Sequence, residues 1–152
     1  MDVTDDASVE AGVEQVIAAQ GHIDILINAA GYGQYGAIED IPMEDAHRQL
    51  EINLFGYARL IQMVLPHMRT QNFGKIINIT SVGGKIYTPM VGWYHASKFA
   101  AEGYSDVLRL EVKPFGIDVV VRALNQNGVV LRSVKQSASR AKVHTAVCLR
   151  NT

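Results

Sequence analysis

The sequence alternates short apolar runs rich in β-branched residues with longer amphipathic segments, and this alternation leaves very few possible folds. The apolar runs cover residues 23–28, 75–80 and 117–121. Runs of this length and composition are typical of strands that are buried on both faces. Strands that alternate with helices imply right-handed crossovers and a parallel sheet. The sequence therefore predicts the α/β class, with a partial doubly wound parallel sheet in a three-layer αβα arrangement.

Helical spacing of apolar residues predicts helices over residues 5–19, 43–68 and 93–112. Gly21 ends the first helix, and Pro42 opens the second. Pro66 is expected to bend the last turn of the second helix. The spaced residues are Val9, Val13, Val16 and Ile17 in the first helix, Leu50, Leu54, Ala58, Ile61 and Leu65 in the second, and Phe99, Gly103, Val107 and Leu110 in the third.

Length and composition bound the class of protein. With 152 residues, of which 48% are hydrophobic, the chain is long enough for one globular domain and too short for two. It contains no run of about 18 apolar residues, and it begins with an acidic segment where a secretory signal would be basic. A single cysteine, Cys148, cannot form an internal disulfide. We therefore expect a cytoplasmic protein without a membrane span.

The charge is distributed unevenly along the chain. All 15 acidic residues lie between Asp2 and Asp118. The following residues, 122–152, form a divergent basic tail with Arg122, Arg132, Lys135, Arg140, Lys142 and Arg150. Such a tail can be a nucleic-acid or membrane arm. However, it lacks aromatic residues and a clear amphipathic period, so we favour a disordered terminus or a foreign end created by a frameshift or alternative splice.

Tyr94 and Lys98 are the first candidates for chemistry. Positions i and i+4 of a helix lie on one face, so the Lys ammonium can sit beside the Tyr phenol. That positive charge favours the phenolate, which makes Tyr94 a candidate general acid/base. The pair alone is a weak signal, because this spacing arises readily by chance.

Ser81 follows the second predicted strand, and Gly83 and Gly84 come directly after it. In doubly wound sheets, ligands bind beyond the carboxyl ends of the strands. A hydroxyl at this position can hydrogen-bond a developing alkoxide. The alternative is that Thr80 and Ser81 only satisfy backbone groups of a turn.

Four motifs together resemble the short-chain dehydrogenase/reductase family, in family order and at family-like separations. They are residues 28–31, residues 52–56, residues 77–81 with Gly84, and residues 94–98. The resemblance runs from about residue 2 to residue 121, and it implies a Rossmann-like NAD(P)-binding domain over residues 1–121. It also implies an oxidoreductase that interconverts an alcohol and a carbonyl.

The resemblance implies roles for individual residues. Tyr94 would transfer a proton to or from the substrate oxygen, and Ser81 would hold that oxygen. Lys98 would favour the tyrosinate and bind the nicotinamide ribose. Asn53 would link Lys98 to solvent through a helix irregularity and water, although an Asn that only marks a helix bend is the alternative. The implied cofactor-binding residues are Asp2, Val3, Asn28, Ala29, Ala30, Gly31, Tyr94 and Lys98.

The expected substrate contacts are Ser81, Gly83, Met90, Trp93 and Tyr94, although Met90 and Trp93 could equally cover a core edge. The implied partners are a small-molecule substrate and a second copy of the chain, as a homodimer or homotetramer through the two long helices. The five histidines lack ligand-like spacing, so no metal site is predicted.

Two departures from the family pattern restrict this interpretation. No strand with a Gly-rich, pyrophosphate-binding turn precedes Asp2, and Gly31, Gly33 and Gly36 form a G-x-G-x-x-G string after the wrong strand. The choice between NAD and NADP cannot be read for this reason, although NADP is slightly favoured. The second departure is residues 122–128, which replace an expected Pro-Gly loop. A family member incomplete at both ends is therefore expected, either an active oxidoreductase or a non-catalytic fragment or isoform that pairs with a full-length relative.

Overall fold

A computed structural model describes residues 1–124 and 146–149 of the chain. Its helices are α1 (Asp6–Gln20), α2 (Met43–Leu50), α3 (Gly56–Gln71) and α4 (Gly92–Val112). Its strands are β1 (Ile25–Asn28), β2 (Gly74–Ser81), β3 (Ile117–Leu124) and β4 (Ala146–Leu149). A π-helical turn, Glu51–Phe55, joins α2 to α3, and 3₁₀ turns cover Val82–Gly84 and Lys113–Phe115.

The four strands form one parallel sheet in the order β3-β2-β1-β4. Since Asn28 is in register with Asn78, β1 ends near the level at which β2 leads into Ser81. This places the turn after β1 and the loop after β2 at the same edge of the sheet. The α/β class and the parallel sheet of a partial doubly wound fold are confirmed.

The capping of α1 shows why its sequence forms a helix. The side chain of Asp5 accepts hydrogen bonds from the N–H groups of Ala7 (3.3 Å) and Ser8 (3.2 Å) at the start of the helix. Gly21 ends the helix in the left-handed conformation, with φ of 76°, and donates its N–H to the Ile17 carbonyl at 2.7 Å. The predicted helix is therefore present, shifted by one residue.

Two predicted apolar stripes require correction. In the second helix, Leu50, Leu54 and Ala58 are only half-buried, while the buried positions include Gln49, Asn53 and Tyr57, each one residue earlier. In α4, Phe99, Gly103, Val107 and Leu110 are all exposed. The inward face of α4 carries the polar side chains of His95, Ser97, Lys98, Glu102 and Ser105 besides its apolar residues. Apolar periodicity fails here because polar groups face the interior.

Side-chain exposure alternates along the strands. Leu26, Ile76 and Val119 are buried in a core cluster that also contains residues of α1, α3 and α4. Ile25 and Ile77, on the opposite face, are half-buried. Helix α3 runs through Pro66 and ends at Gln71 rather than at residue 68, with Asn72 in the left-handed conformation (φ 52°).

Some predicted boundaries also move. Strand β3 continues to Leu124, three residues beyond its predicted end. Strand β4 lies in the segment predicted as a divergent tail and pairs with β1. Residues 125–145 and 150–152 of that tail lie outside the described residues, so the domain boundary at residue 121 stays a prediction. Within the described part, no helix is long and apolar enough to cross a membrane.

Candidate active site

Ser81 is the last residue of β2 and the N-cap of the Val82–Gly84 turn. Its Oγ accepts a hydrogen bond from the Gly83 N–H at 3.1 Å, so the turn-stabilising alternative is realised in the geometry. That bond uses a lone pair and leaves the hydroxyl proton of Ser81 available to donate. The adjacent Thr80 points elsewhere, because its hydroxyl donates to Glu102 Oε1 at 2.6 Å.

Helix α4 brings Tyr94 and Lys98 together on one face, as their spacing predicts. Lys98 Nζ lies 5.9 Å from the centroid of the Tyr94 ring and 5.7 Å from that of Tyr57. It also donates to the Ile79 carbonyl at 3.3 Å. Lys98 is only 5% exposed, and this burial lowers its pKa to about 8. At pH 7 the side chain is therefore still mostly an ammonium.

Asn53 lies in the π-helical turn, where it is completely buried. Its Oδ1 accepts from the Tyr32 N–H at 3.0 Å, and its Nδ2 donates to the Tyr32 carbonyl at 2.9 Å and to Ser97 Oγ at 3.0 Å. Ser97 in turn donates to the Tyr94 carbonyl at 2.7 Å. The amide thus joins the turn after β1 to the helical turn that carries Tyr94. The helix irregularity implied by the resemblance is present, and the link from Asn53 through water to Lys98 stays a prediction.

Tyr57 is a residue that the sequence analysis missed. It is almost fully buried, and its hydroxyl donates to the Ile79 carbonyl at 2.7 Å. The same carbonyl accepts a hydrogen bond from Lys98 Nζ. Burial raises the pKa of Tyr57, so the hydroxyl remains a donor. Its position four residues after Asn53 could have indicated that both side chains share one helix face.

A cavity of about 500 Å³ opens at this edge of the sheet, within the size range of small-molecule sites. Ser81, Tyr94 and Lys98 line it, and so do Gly83 and Gly31. The further lining residues are Tyr32, Gly33, Tyr35, Ile79, Thr80, Val82, Ile86, Thr88, Val91, His95 and Leu124. The loop after β1, the loop after β2 and the start of α4 therefore build one site.

Of the four predicted cofactor-binding residues 28–31, two line the cavity and two do not. Ala29 and Gly31 line the cavity, and a Cβ atom at Gly31 would lie 3.1 Å from Asn53 Oδ1 and 3.3 Å from Lys98 Nζ. Asn28 and Ala30 are buried away from it. Asn28 Nδ2 donates to Asn78 Oδ1 at 2.8 Å, and Ala30 belongs to the core cluster. The close approach at Gly31 explains why a residue without a side chain is present there.

Asp2 and Val3 lie away from the cavity. Asp2 Oδ1 accepts from the N–H of Thr4 at 2.9 Å and from its hydroxyl at 2.8 Å, and these bonds lower the pKa of Asp2. Val3 is buried in the core, and its carbonyl accepts from Arg59 Nη1 at 2.7 Å. In the described chain these two residues organise the segment before α1.

Met90 and Trp93 do not line the cavity either. Met90 is exposed and has a left-handed backbone (φ 69°), and its carbonyl accepts from the Gly36 N–H at 2.8 Å. Trp93 is half-buried, and its Nε1 has no hydrogen-bond partner among the described residues. Ile86, Thr88 and Val91 occupy the cavity wall instead.

His95 also lines the cavity, with both ring nitrogens in contact with the loop after β2. Nδ1 lies 2.8 Å from the Gly83 carbonyl, and Nε2 lies 3.0 Å from the Thr88 backbone nitrogen. Across residues 1–124 and 146–149, no three His, Cys, Asp or Glu side chains are grouped to hold a metal ion.

Comparison with known proteins adds independent information. The sequence profile of a family described as short chain dehydrogenase matches residues 1–139. A protein of Bacteroides thetaiotaomicron named 3-ketodihydrosphingosine reductase is 50% identical over 119 residues, which are 78% of this chain and 44% of that protein. The chain thus spans less than half of that relative's length.

Solved structures give the same result at the level of the fold. An NAD⁺-bound xylitol dehydrogenase is 34% identical with a TM-score of 0.78, over 82% of this chain and 48% of its own. A gluconate 5-dehydrogenase from Burkholderia cenocepacia, in complex with NADP and tartrate, is 31% identical with a TM-score of 0.79. The match covers 82% of this chain and 49% of that chain.

Proposed function

The chain belongs to the short-chain dehydrogenase family, and from this premise we propose that it serves NAD(P)-dependent interconversion of an alcohol and a carbonyl, with Tyr94 as general acid/base. One observation carries the proposal: the Tyr94 ring, the Lys98 ammonium and the Ser81 hydroxyl line the same cavity. A phenol, a nearby cation and a second hydroxyl are the groups that proton transfer to a carbonyl oxygen requires.

In the proposed reduction, the substrate oxygen lies between Ser81 and Tyr94. The Ser81 hydroxyl, held by the Gly83 N–H, donates to that oxygen as negative charge develops on it. Tyr94 then passes its phenolic proton to the oxygen, and the resulting tyrosinate is stabilised by the ammonium of Lys98. Solvent returns a proton to Tyr94. The oxidation follows the same path in reverse.

The residues at the site fit the nicotinamide end of a dinucleotide. A side chain at Gly31 would crowd Asn53 Oδ1 and Lys98 Nζ, so the glycine leaves an open wall beside the Lys98 ammonium. Lys98, Ala29 and Gly31 would hold this end of the cofactor. When bound, the nicotinamide supplies or accepts the hydride. One of the two solved structures holds NAD⁺ and the other holds NADP, so we propose a nicotinamide cofactor and keep NADP as the slightly favoured form.

The substrate is proposed by class only. The relative from Bacteroides thetaiotaomicron is named for a keto substrate, and Ile86 and Val91 give the cavity of this chain apolar walls. We therefore propose a small-molecule substrate, an alcohol or carbonyl compound that carries an apolar substituent of any length. 3-Ketodihydrosphingosine is the first compound to test.

We also propose self-association through the two long helices. The exposed face of α4 carries Phe99, Val107 and Leu110, and Phe55 is exposed at the end of the π turn before α3. An apolar face of this kind is typical of a contact with another subunit. A homodimer or homotetramer would cover it. The cytoplasmic location stays a prediction.

A second candidate is a non-catalytic fragment or isoform that pairs with a full-length relative, and the exposed apolar side chains of Phe99, Val107 and Leu110 on α4 favour it. Titration calorimetry with NADPH and NADH, followed by turnover assays, separates the two. For the enzyme we expect binding, and a loss of kcat of about a hundred- to ten-thousandfold in Tyr94→Phe. Tyr87→Phe is the matched control, since Tyr87 is exposed and does not line the cavity. Absence of binding at millimolar cofactor would refute the enzyme proposal.

A further inference from the structure

We propose that His95 and Glu102 are positioning residues: from α4 they hold the segment between Thr80 and Thr88, and thereby fix Ser81 relative to Tyr94 and Lys98. The catalytic consequence rests on the function proposed above. The anchoring itself does not, because it concerns contacts within the chain.

The hydrogen bonds of His95 define its role. A carbonyl oxygen can only accept, so the 2.8 Å contact with the Gly83 carbonyl places the proton of the ring on Nδ1. Nε2 is then the acceptor for the Thr88 N–H at 3.0 Å. The ring therefore bridges two ends of the loop. Because both nitrogens are engaged, His95 has no free lone pair to act as a base in the cavity that it lines.

Glu102 anchors the same segment from a position two helical turns further along α4. It is 3% exposed, its Oε1 accepts from Thr80 Oγ1 at 2.6 Å, and its Oε2 forms an ion pair with Lys85 Nζ at 2.7 Å. Residues seven apart in a helix lie on nearly the same face. A buried carboxylate without a partner is strongly unfavourable, so this ion pair constrains where Lys85 can lie.

A single residue connects His95 to Ser81. The Gly83 carbonyl accepts from His95 Nδ1, and the Gly83 N–H donates to Ser81 Oγ at 3.1 Å. A Cβ atom on Gly83 would lie 2.9 Å from Tyr94 Cε1, so the loop backbone rests directly on the Tyr94 ring. A displacement of Gly83 therefore changes both the Ser81 hydroxyl and its separation from the Tyr94 phenol.

Two further buried polar side chains of α4, Ser97 and Ser105, serve different contacts. Ser97 bonds to Asn53, and Ser105 accepts from Asn78 Nδ2 at 2.8 Å. Neither reaches the segment after β2. Ser105→Ala is therefore a matched control, since it removes a buried hydrogen bond from the same helix without touching the loop.

Three variants of His95 separate its two hydrogen bonds. His95→Asn can keep a donor for the Gly83 carbonyl, His95→Gln can keep an acceptor for the Thr88 N–H, and His95→Phe keeps ring volume only. In His95→Phe we expect kcat to fall by about ten- to a hundredfold, because small misplacements of reacting groups have effects of this size. The Kd for NADPH should stay within about twofold. His95→Asn should recover more of kcat than His95→Gln, since the Gly83 bond leads to Ser81.

The ion pair allows a rescue experiment. Lys85→Met leaves the buried Glu102 carboxylate without its partner, so the free energy of unfolding and kcat should both fall. Adding Glu102→Gln removes that charge while keeping an acceptor for Thr80. The double variant should therefore be more stable than Lys85→Met alone. No recovery would contradict the role given to Glu102.

Amide hydrogen exchange tests the anchoring independently of turnover. In His95→Phe, exchange should accelerate at the Gly83 and Thr88 amides, whereas Ser105→Ala should leave these two amides as in the unmodified chain. Unchanged exchange at Gly83 and Thr88, or equal acceleration in Ser105→Ala, would overturn the inference. A chain without turnover would contradict the proposed function alone, while the exchange rates would still decide the anchoring. If His95→Phe does not fold, His95→Gln replaces it and the Gly83 amide alone is compared, because this variant can keep the bond to the Thr88 N–H.

Discussion

Asn53 holds the backbone of Tyr32 at both of its polar groups: Oδ1 accepts from the N–H at 3.0 Å, and Nδ2 donates to the carbonyl at 2.9 Å. In a sheet, a neighbouring strand supplies the hydrogen-bond partners of the backbone. Tyr32 does not need such a strand, because one side chain pairs with both its N–H and its carbonyl. The turn after β1 can therefore leave the sheet and line the cavity while its buried polar groups remain paired.

The first prediction follows from this arrangement. Asn53→Ala leaves the Tyr32 N–H without its partner, reduces the Tyr32 carbonyl to the bond from Gln49 Nε2 at 3.0 Å, and removes the bond to Ser97. We expect the free energy of unfolding to fall by about 3 kcal/mol, since each lost bond is worth about 1 kcal/mol and buried unpaired groups add to the loss. Urea denaturation measures it. Gln62→Ala, at an exposed position of α3, should change the value by less than about 0.5 kcal/mol.

The second prediction concerns pH. Burial lowers the pKa of Lys98 from 10.5 to about 8, so the ammonium destabilises the fold below pH 8. As the pH rises from 8 towards 10.5, the unfolded chain holds more protons than the folded chain, and this destabilisation disappears. Lys98→Met changes the free energy of unfolding relative to the unmodified chain. This change should be more favourable at pH 7 than at pH 10, by up to about 3 kcal/mol. Denaturation at several pH values measures the difference.

Lys113→Met is the control for this experiment, because Lys113 is exposed after α4. Its stability relative to the unmodified chain should vary little over the same pH range. If the change in the free energy of unfolding caused by Lys98→Met is also independent of pH, burial does not lower the pKa of Lys98 as stated above.

The third prediction compares two glycines in open space. Nothing lies within 4 Å of a Cβ atom at Gly103 or at Gly21, but Gly21 has φ of +76° and Gly103 is inside α4. Gly103→Ala should raise the free energy of unfolding by about 1 kcal/mol through helix propensity. Gly21→Ala should lower it by about 1 kcal/mol because of its left-handed backbone. Shifts of the same sign in thermal denaturation would contradict this reasoning.

The fourth prediction concerns the Ser81 hydroxyl. Ser81→Ala should lower kcat by about a hundredfold, as expected when one hydrogen-bond donor to a developing oxyanion is removed. Ser81→Thr keeps a hydroxyl and should recover part of the activity. Steady-state kinetics with NADPH compares the two variants. Equal losses in both would indicate that Ser81 acts only as the cap of the Val82–Gly84 turn.

The sequence was sufficient for the parallel sheet and for the pairing of Tyr94 with Lys98, because both depend on local periodicity. It was insufficient where polar side chains face inward, as Gln49 and Tyr57 do. The ends of β2 and β3 were also missed, since backbone pairing between Ser81 and Leu124 continues beyond the apolar runs. The role of His95 depends on Gly83 and Thr88, whose positions only the tertiary structure defines.

The π turn at Glu51–Phe55 has a consequence for insertions and deletions. A π turn accommodates about one residue more than an α-helical turn, so removing one residue between 51 and 55 would give a regular helix with an intact core after residue 56. Within the turn itself, the same removal would shift side chains by up to about 100° about the helix axis, and Asn53 would no longer face Tyr32 and Ser97. The number of residues in this turn, more than their chemical type, decides whether the amide reaches the site.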